Sequence, residues 1–231
     1  MIKAVFLDID DTLLSFSGYV RQSMREGFAH YGLPAYEESM YAVFEGINDG
    51  LWKQLERGEI DFDQLVAVRW NLIFRELGFD FDGPTFERYF RKQLFWSAVP
   101  EPGAPELVDY LSGRYLLCAA SNGPFEQQVN RLKVAGMYRS FAHVFISSQV
   151  GAQKPEAAFF DHCFEELHRD LPGLRPEETV LVGDSMTSDI AGGAAYGMHT
   201  ILFQKVPGDR PVGRYVPEHV VHKLQDVQRY L

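Results

Sequence analysis

At 231 residues, 46% hydrophobic and 14% aromatic, the chain can bury a large core, which excludes a disordered polymer. Twenty-two Lys and Arg against thirty-two Asp and Glu leave a formal net charge of −10, the wrong sign for tracking duplex nucleic acid or coating an anionic membrane. No apolar run approaches the roughly 20 residues of a spanning helix, and residues 1–8 turn acidic too soon for a signal peptide. The two cysteines, Cys118 and Cys163, form no CxxC pair, so a soluble cytoplasmic protein without disulfides or zinc knuckles is expected.

In chain order, residues 3–7 form a short apolar run of the kind buried on both faces of a parallel sheet. From residue 15 to residue 97 the rhythm changes. Helices are predicted over 19–31, 36–56, 62–77 and 84–95, separated by Gly32-Leu33-Pro34, Arg57-Gly58 and Gly78. Leu65, Val68, Leu72 and Leu77 give an approximate helical stripe. Strand-like runs resume at 115–120, where a buried thiol at Cys118 is expected, and continue at 143–147, 179–182 and 199–203, with a weak edge strand at 219–222. Pro124, Pro155 and residues 185–188 mark helix starts between them. The expectation is an α/β fold with a doubly wound parallel sheet formed by residues 1–14 and 98–231, and an inserted helical bundle at 15–97.

Chemistry concentrates at the predicted strand exits, where open α/β sheets bind ligands. The first strand ends in Asp8-Ile9-Asp10-Asp11-Thr12, and the alternation of an extended chain sets Asp8 and Asp10 on one side. A DxD exit alone is weak evidence, since polar residues are common there. The second run exits at Ser121-Asn122-Gly123 before Pro124, where a hydroxyl and helix-terminal amides suit a phosphate-sized anion, although ordinary capping gives the same pattern. Lys154 precedes a predicted helix start at Pro155, and the fourth run leads into Asp184 and Asp189. If these acids converge, each like-charge pair at about 4 Å costs roughly 4 kcal/mol at an effective dielectric of 20. Lys154 alone cannot neutralise them, so either some are protonated or a divalent cation sits among them. Hard oxygen ligands and a phosphate partner favour Mg²⁺.

Together the four segments, Asp8-Ile9-Asp10-Asp11-Thr12, Ser121-Asn122, Lys154-Pro155 and Gly183-Asp184 with Asp189, resemble the motifs of the haloacid dehalogenase (HAD) superfamily in order and spacing. The resemblance covers the whole chain, and the helical insertion looks like the family's C1-type cap. It implies a Rossmann-like core in which Asp8 is a nucleophile forming an aspartyl-phosphate and Asp10 is the general acid and base. It also implies Mg²⁺ held by Asp8, Asp184 and the Asp10 backbone carbonyl, with Asp189 supporting it directly or through water. Ser121 and Lys154 would bind phosphoryl oxygens, Asn122 would orient the loop or the nucleophile, and Asp11 and Thr12 would shape the turn. Glu156-Ala157 departs from the second proline that many members carry there.

Asp10 argues for phosphoryl transfer, because the family's dehalogenases lack that second aspartate: a halide leaves without a proton and an alkoxide does not. A phosphomutase keeps both acids and stays open at this point. A phospho-receiver module, a non-enzymatic alternative with similar acids, is shorter and carries its accepting aspartate on a later strand. Within the insertion, Gly46-Ile47-Asn48-Asp49-Gly50-Leu51-Trp52 and Gly58-Glu59-Ile60 resemble the pyrimidine 5′-nucleotidase subgroup, as do Ser15-Phe16 and Gly192-Gly193. That likeness implies a small-molecule phosphomonoester substrate, with Trp52 stacking on a base and Asn48 bonding its edge, against a plain packing role for Trp52. Sugar-phosphate and phosphoglycolate phosphatases are the alternatives. Arg21, Arg25 and Arg69 are expected on solvated helix faces, the seven histidines show no metal-binding spacing, and a monomer or homodimer is expected.

Overall fold

The structure is a computed structural model and describes residues 1–206, 208 and 214–231. Its contacts divide the chain into two compact units, Met1–Ser15 with Ala98–Leu231, and Phe16–Ser97.

Among the described residues the first unit carries six parallel strands, β1 (Ala4–Leu7), β2 (Leu116–Ser121), β3 (His143–Ile146), β4 (Thr179–Gly183), β5 (His199–Phe203) and β6 (His219–Val221). Their order is β3-β2-β1-β4-β5-β6, which makes β1 central and paired with β2 on one side and β4 on the other. Alternate residues feed two separate cores. Val5, Leu7, Leu117, Ala119, Val180 and Val182 enter one, while Ala4, Phe6, Cys118, Ala120 and Leu181 enter the other. Burial on both faces explains the unbroken apolar runs in the sequence. The doubly wound α/β class is the one expected.

The helical unit comprises α1 (Phe16–Tyr31), α2 (Glu38–Glu56), α3 (Phe62–Leu77) and α4 (Gly83–Trp96). The Asp61 side chain caps α3 by accepting from the Gln64 amide, Gly78 ends it at φ +71°, and Asp82 caps α4 through the Thr85 amide. Phe28, Phe44, Trp70, Phe74, Phe86 and Phe90 form its aromatic core. Arg69 corrects one expectation. It does not lie on a solvated face but is buried, with Nε and Nη2 donating to Glu87 at 3.1 and 2.6 Å, Nη1 donating to Asn48 Oδ1 at 3.1 Å, and its guanidinium 4.9 Å from the Phe90 ring centre. The guanidinium is always charged, so it enters a core only where a carboxylate and an amide meet its fork of donors.

Back in the sheet unit, α5 (Ala104–Ser112) precedes β2, α6 (Phe125–Val134) follows it, and the single-turn α7 (Ser147–Val150) follows β3. The helix α8 (Ala157–Asp170) leads to β4, and α9 (Ala191–Tyr196) leads to β5. Neither proline lies inside its helix. Pro124 is the extended residue capping α6, and α8 begins two residues after Pro155, whose bond to Lys154 is cis.

Candidate active site at the strand exits

Because β1 lies between β2 and β4, their three carboxyl ends open side by side. Leu7 pairs with Ala119 and with Val182, so Asp8 just past β1, Ser121 at the last position of β2 and Asp184 just past β4 emerge at the same edge. Lys154 closes the group from the loop before α8.

The Lys154 side chain is almost entirely buried (1% exposed), and its ammonium donates to Asp8 Oδ1 at 2.7 Å, Asp189 Oδ1 at 2.6 Å and the Ala120 carbonyl at 2.7 Å. An ammonium has three donors, and these acceptors use all three. Asn122 fixes the lysine from behind. Its Oδ1 accepts from the Lys154 amide at 2.9 Å and its Nδ2 donates to the Lys154 carbonyl at 2.8 Å. Asp189 also accepts from the Ser185 amide at 3.0 Å. A Cβ on Gly183 would stand 2.2 Å from the Asp189 carboxylate, so the glycine leaves the room that the acid occupies.

Asp8, Asp184 and Asp189 each present a carboxylate oxygen within 4.8 Å of the others. The crowding shows in their acidity. Burial, opposed by Lys154 and reinforced by Asp189 and Asp10, pushes Asp8 up to about 7. Asp184 rises well above the ordinary carboxylate range. Its residue surface is exposed, but the carboxyl loses hydration among the surrounding loops and is repelled by Asp8, Asp189 and Asp11. Burial works against the charge on Lys154, yet Asp189 and Asp8 outweigh it and raise the lysine above its usual value. One ammonium thus does not satisfy three acids. Hard oxygen donors at this spacing, still carrying excess negative charge, fit a small divalent cation.

Ser121 Oγ accepts from the Gly123 amide at 3.2 Å and from Gln128 Nε2 at 2.8 Å. A hydroxyl has two lone pairs and one proton; with both lone pairs engaged, what it has to offer a ligand is the proton. Asp10 turns to α6, where Gln128 donates to Oδ2 at 2.6 Å and Arg131 donates to Oδ1 at 2.5 Å. Neither α6 residue was singled out from the sequence. Asp11 adopts φ +56° and pairs with Lys205 at 2.5 Å, and Thr12 donates to Asp184 at 3.5 Å, the outer limit of a hydrogen bond.

Asn48 and Trp52 lie in the helical unit. Asn48 is buried with its carbonyl oxygen given to Arg69, and Trp52 is half-buried with its ring centre 6.2 Å from that of Phe62.

A parallel α/β sheet that gathers acids, a buried lysine and a serine at adjacent strand ends has its polar cluster where open α/β enzymes bind their ligands. The chain belongs to the haloacid dehalogenase-like hydrolase family, whose model matches residues 2–197. It is 30% identical over 230 residues to the HAD-hydrolase YfnB of Bacillus subtilis, covering 99% of this chain and 95% of that protein. The magnesium-bound crystal structure of YfnB superposes with a TM-score of 0.89 at 29% identity, covering 100% of this chain and 98% of that one. The pyrimidine 5′-nucleotidase PynA of Streptococcus pneumoniae is 33% identical over 205 residues, 87% of this chain and 83% of its own. A glyceraldehyde 3-phosphate phosphatase of Methanothermobacter thermautotrophicus is 29% identical over 210 residues, 87% of this chain and 85% of its own. Among the described residues no helix is long and apolar enough to cross a membrane.

Proposed function

We propose that the protein is a Mg²⁺-dependent phosphatase that hydrolyses small phosphomonoesters through an aspartyl-phosphate on Asp8, with pyrimidine nucleoside 5′-monophosphates as its substrates. The observation that carries this reading is the site itself: Asp8 crowded by Asp184 and Asp189, held by Lys154, with Asp10 two residues on. Phosphoryl transfer demands little covalent chemistry beyond a nucleophile and a proton carrier; the rest is positioning and charge.

Asp8 attacks phosphorus as the ester P–O bond breaks, and Asp10 gives a proton to the departing alkoxide. Asp10 then takes a proton from water, whose oxygen attacks phosphorus; the bond to Asp8 breaks, phosphate leaves and the carboxylate is restored. The Ser121 hydroxyl donates to a phosphoryl oxygen, and Lys154 offsets the charge that builds there. Asn122 keeps Lys154 in place. Asp8, Asp184 and the Asp10 carbonyl would hold the magnesium ion, supported by Asp189, and the bound ion would supply the positive charge that lets two anions approach. That YfnB was crystallised with magnesium supports this assignment.

The helical unit acts as the substrate-selecting cap, joined to the core through residues 14–18 and 98–103, with Trp52 offering an aromatic face to a base. The nucleotidase reading rests on the Gly46–Trp52 segment and on the likeness to PynA. The likeness to glyceraldehyde 3-phosphate phosphatase favours a second reading, a triose- or sugar-phosphate substrate. Phosphate release from dUMP, dTMP and UMP, set beside glyceraldehyde 3-phosphate, hexose phosphates and phosphoglycolate at equal magnesium, decides between them. A preference for the sugar or glycolate esters refutes the nucleotidase assignment.

A further inference from the structure

Asp10 is the acid on which both half-reactions turn, yet nothing in its own loop fixes its carboxylate. Two side chains from α6 do so, three residues apart and therefore on one helix face. Gln128 Nε2 donates to Asp10 Oδ2 at 2.6 Å and to Ser121 Oγ at 2.8 Å. Arg131 Nη1 donates to Asp10 Oδ1 at 2.5 Å and to Gln128 Oε1 at 2.9 Å. Both α6 residues are fully buried, whereas the Asp10 side chain is one-third exposed. A buried guanidinium and a buried amide thus close on both oxygens of a carboxylate that keeps one-third of its side chain exposed.

We propose that Gln128 and Arg131 are positioning residues that orient the Asp10 carboxylate for proton transfer and, through the Gln128 amide, set it in register with Ser121. This rests on the reading of Asp10 as the general acid and base. Gly123 supplies an independent mark of the arrangement, since a Cβ there would stand 2.5 Å from Gln128 Nε2. The third residue of the Ser121-Asn122-Gly123 turn thus leaves room for the amide that joins the two catalytic loops. Proton transfer is steep in geometry, because donor and acceptor must meet at hydrogen-bond distance in the transition state. A carboxylate left to rotate spends much of its time misdirected.

The test compares two esters on the magnesium-loaded protein: p-nitrophenyl phosphate, whose leaving group departs without a proton, and a simple alkyl phosphate, whose leaving group needs one. In Gln128→Leu, kcat/KM for the alkyl ester is expected to fall about ten- to a hundredfold while that for the aryl ester changes less than about threefold. Arg131→Lys, which keeps a donor, is expected to fall less than Arg131→Met. Asp10→Asn serves as the reference and should separate the two esters by about a hundredfold or more. Equal losses on both esters in Gln128→Leu, with Asp10→Asn still separating them, would show a merely structural role and overturn the inference alone. If Asp10→Asn itself fails to separate the esters, the acid-base reading of Asp10 falls and this inference falls with it.

Discussion

Replacing Lys154 with methionine removes the only ammonium among Asp8, Asp184 and Asp189 in the described site while roughly preserving side-chain volume. At its N–O distances of 2.6 and 2.7 Å, each ion pair is worth about 6 kcal/mol of Coulomb attraction at an effective dielectric of 20. Most of that is cancelled by the cost of burying the lysine, and breaking a buried pair typically costs about 3–5 kcal/mol because a charge is left uncompensated. The cost must depend on pH. Asp8 already titrates near 7, and without the lysine it titrates higher still, since the Lys154 charge acts to lower it. Above that value the abandoned carboxylate is charged and the full penalty applies; below it a proton takes the lysine's place. Urea unfolding of Lys154→Met without magnesium should therefore show a loss of about 3–5 kcal/mol near pH 9.5 and clearly less near pH 5.5, at unchanged m-value. Millimolar magnesium should recover part of the loss at the higher pH only. A loss equal at both pH values, or larger in acid, would refute the account of Lys154 as the compensating charge.

Asp8 in the folded, metal-free protein holds its proton to about 7 against 3.8 for an ordinary aspartate, so between these limits the folded state binds the extra proton and stability falls as pH rises. From pH 5.5 to 7 that amounts to about 2 kcal/mol, which Asp8→Asn should abolish, as read by the difference in urea midpoints between the two proteins; a slope unchanged by the substitution contradicts it. Gly183→Ala would push a methyl group to 2.2 Å from the Asp189 carboxylate, and magnesium affinity measured by calorimetry should weaken at least about tenfold; unaltered affinity would remove Asp189 from the metal's support. In the helical unit, Glu87→Ala leaves Arg69 buried against an empty site and should cost about 3–5 kcal/mol, whereas the double variant Arg69→Met with Glu87→Leu should cost clearly less, by denaturant melts. A double variant as unstable as the single one would show that the pair's charge is not what the single substitution exposes.

The sheet was legible because its strands are buried on both faces, so that runs such as Tyr115-Leu116-Leu117-Cys118-Ala119-Ala120 carry no polar interruption. The helices of the insertion were legible from their stops, Gly58 and Gly78 above all. What escaped was long-range. Nothing local marks Gln128 or Arg131 as partners of Asp10, which lies 118 and 121 residues away, and α6 reads as an ordinary polar helix. Arg69 looked like a solvated residue because its neutralising partner, Glu87, sits on another helix. Proline suits a first turn, which points to a helix start at Pro155, but the loop carrying Lys154 continues through it and Glu156 before α8 begins. The helix α5 went unread, although Leu107, Val108 and Leu111 give it a buried face and Pro105 marks its first turn.

The claim beneath all of this is that Asp8 accepts the phosphoryl group. Rapid acid quenching of the magnesium-loaded enzyme during turnover, followed by mass analysis of its peptides, tests it most directly. The account predicts a phosphate adduct confined to the peptide bearing Asp8, discharged by hydroxylamine as acyl phosphates are, and absent in Asp8→Asn. Sustained phosphate release by Asp8→Asn, or an adduct on any other residue, would contradict it.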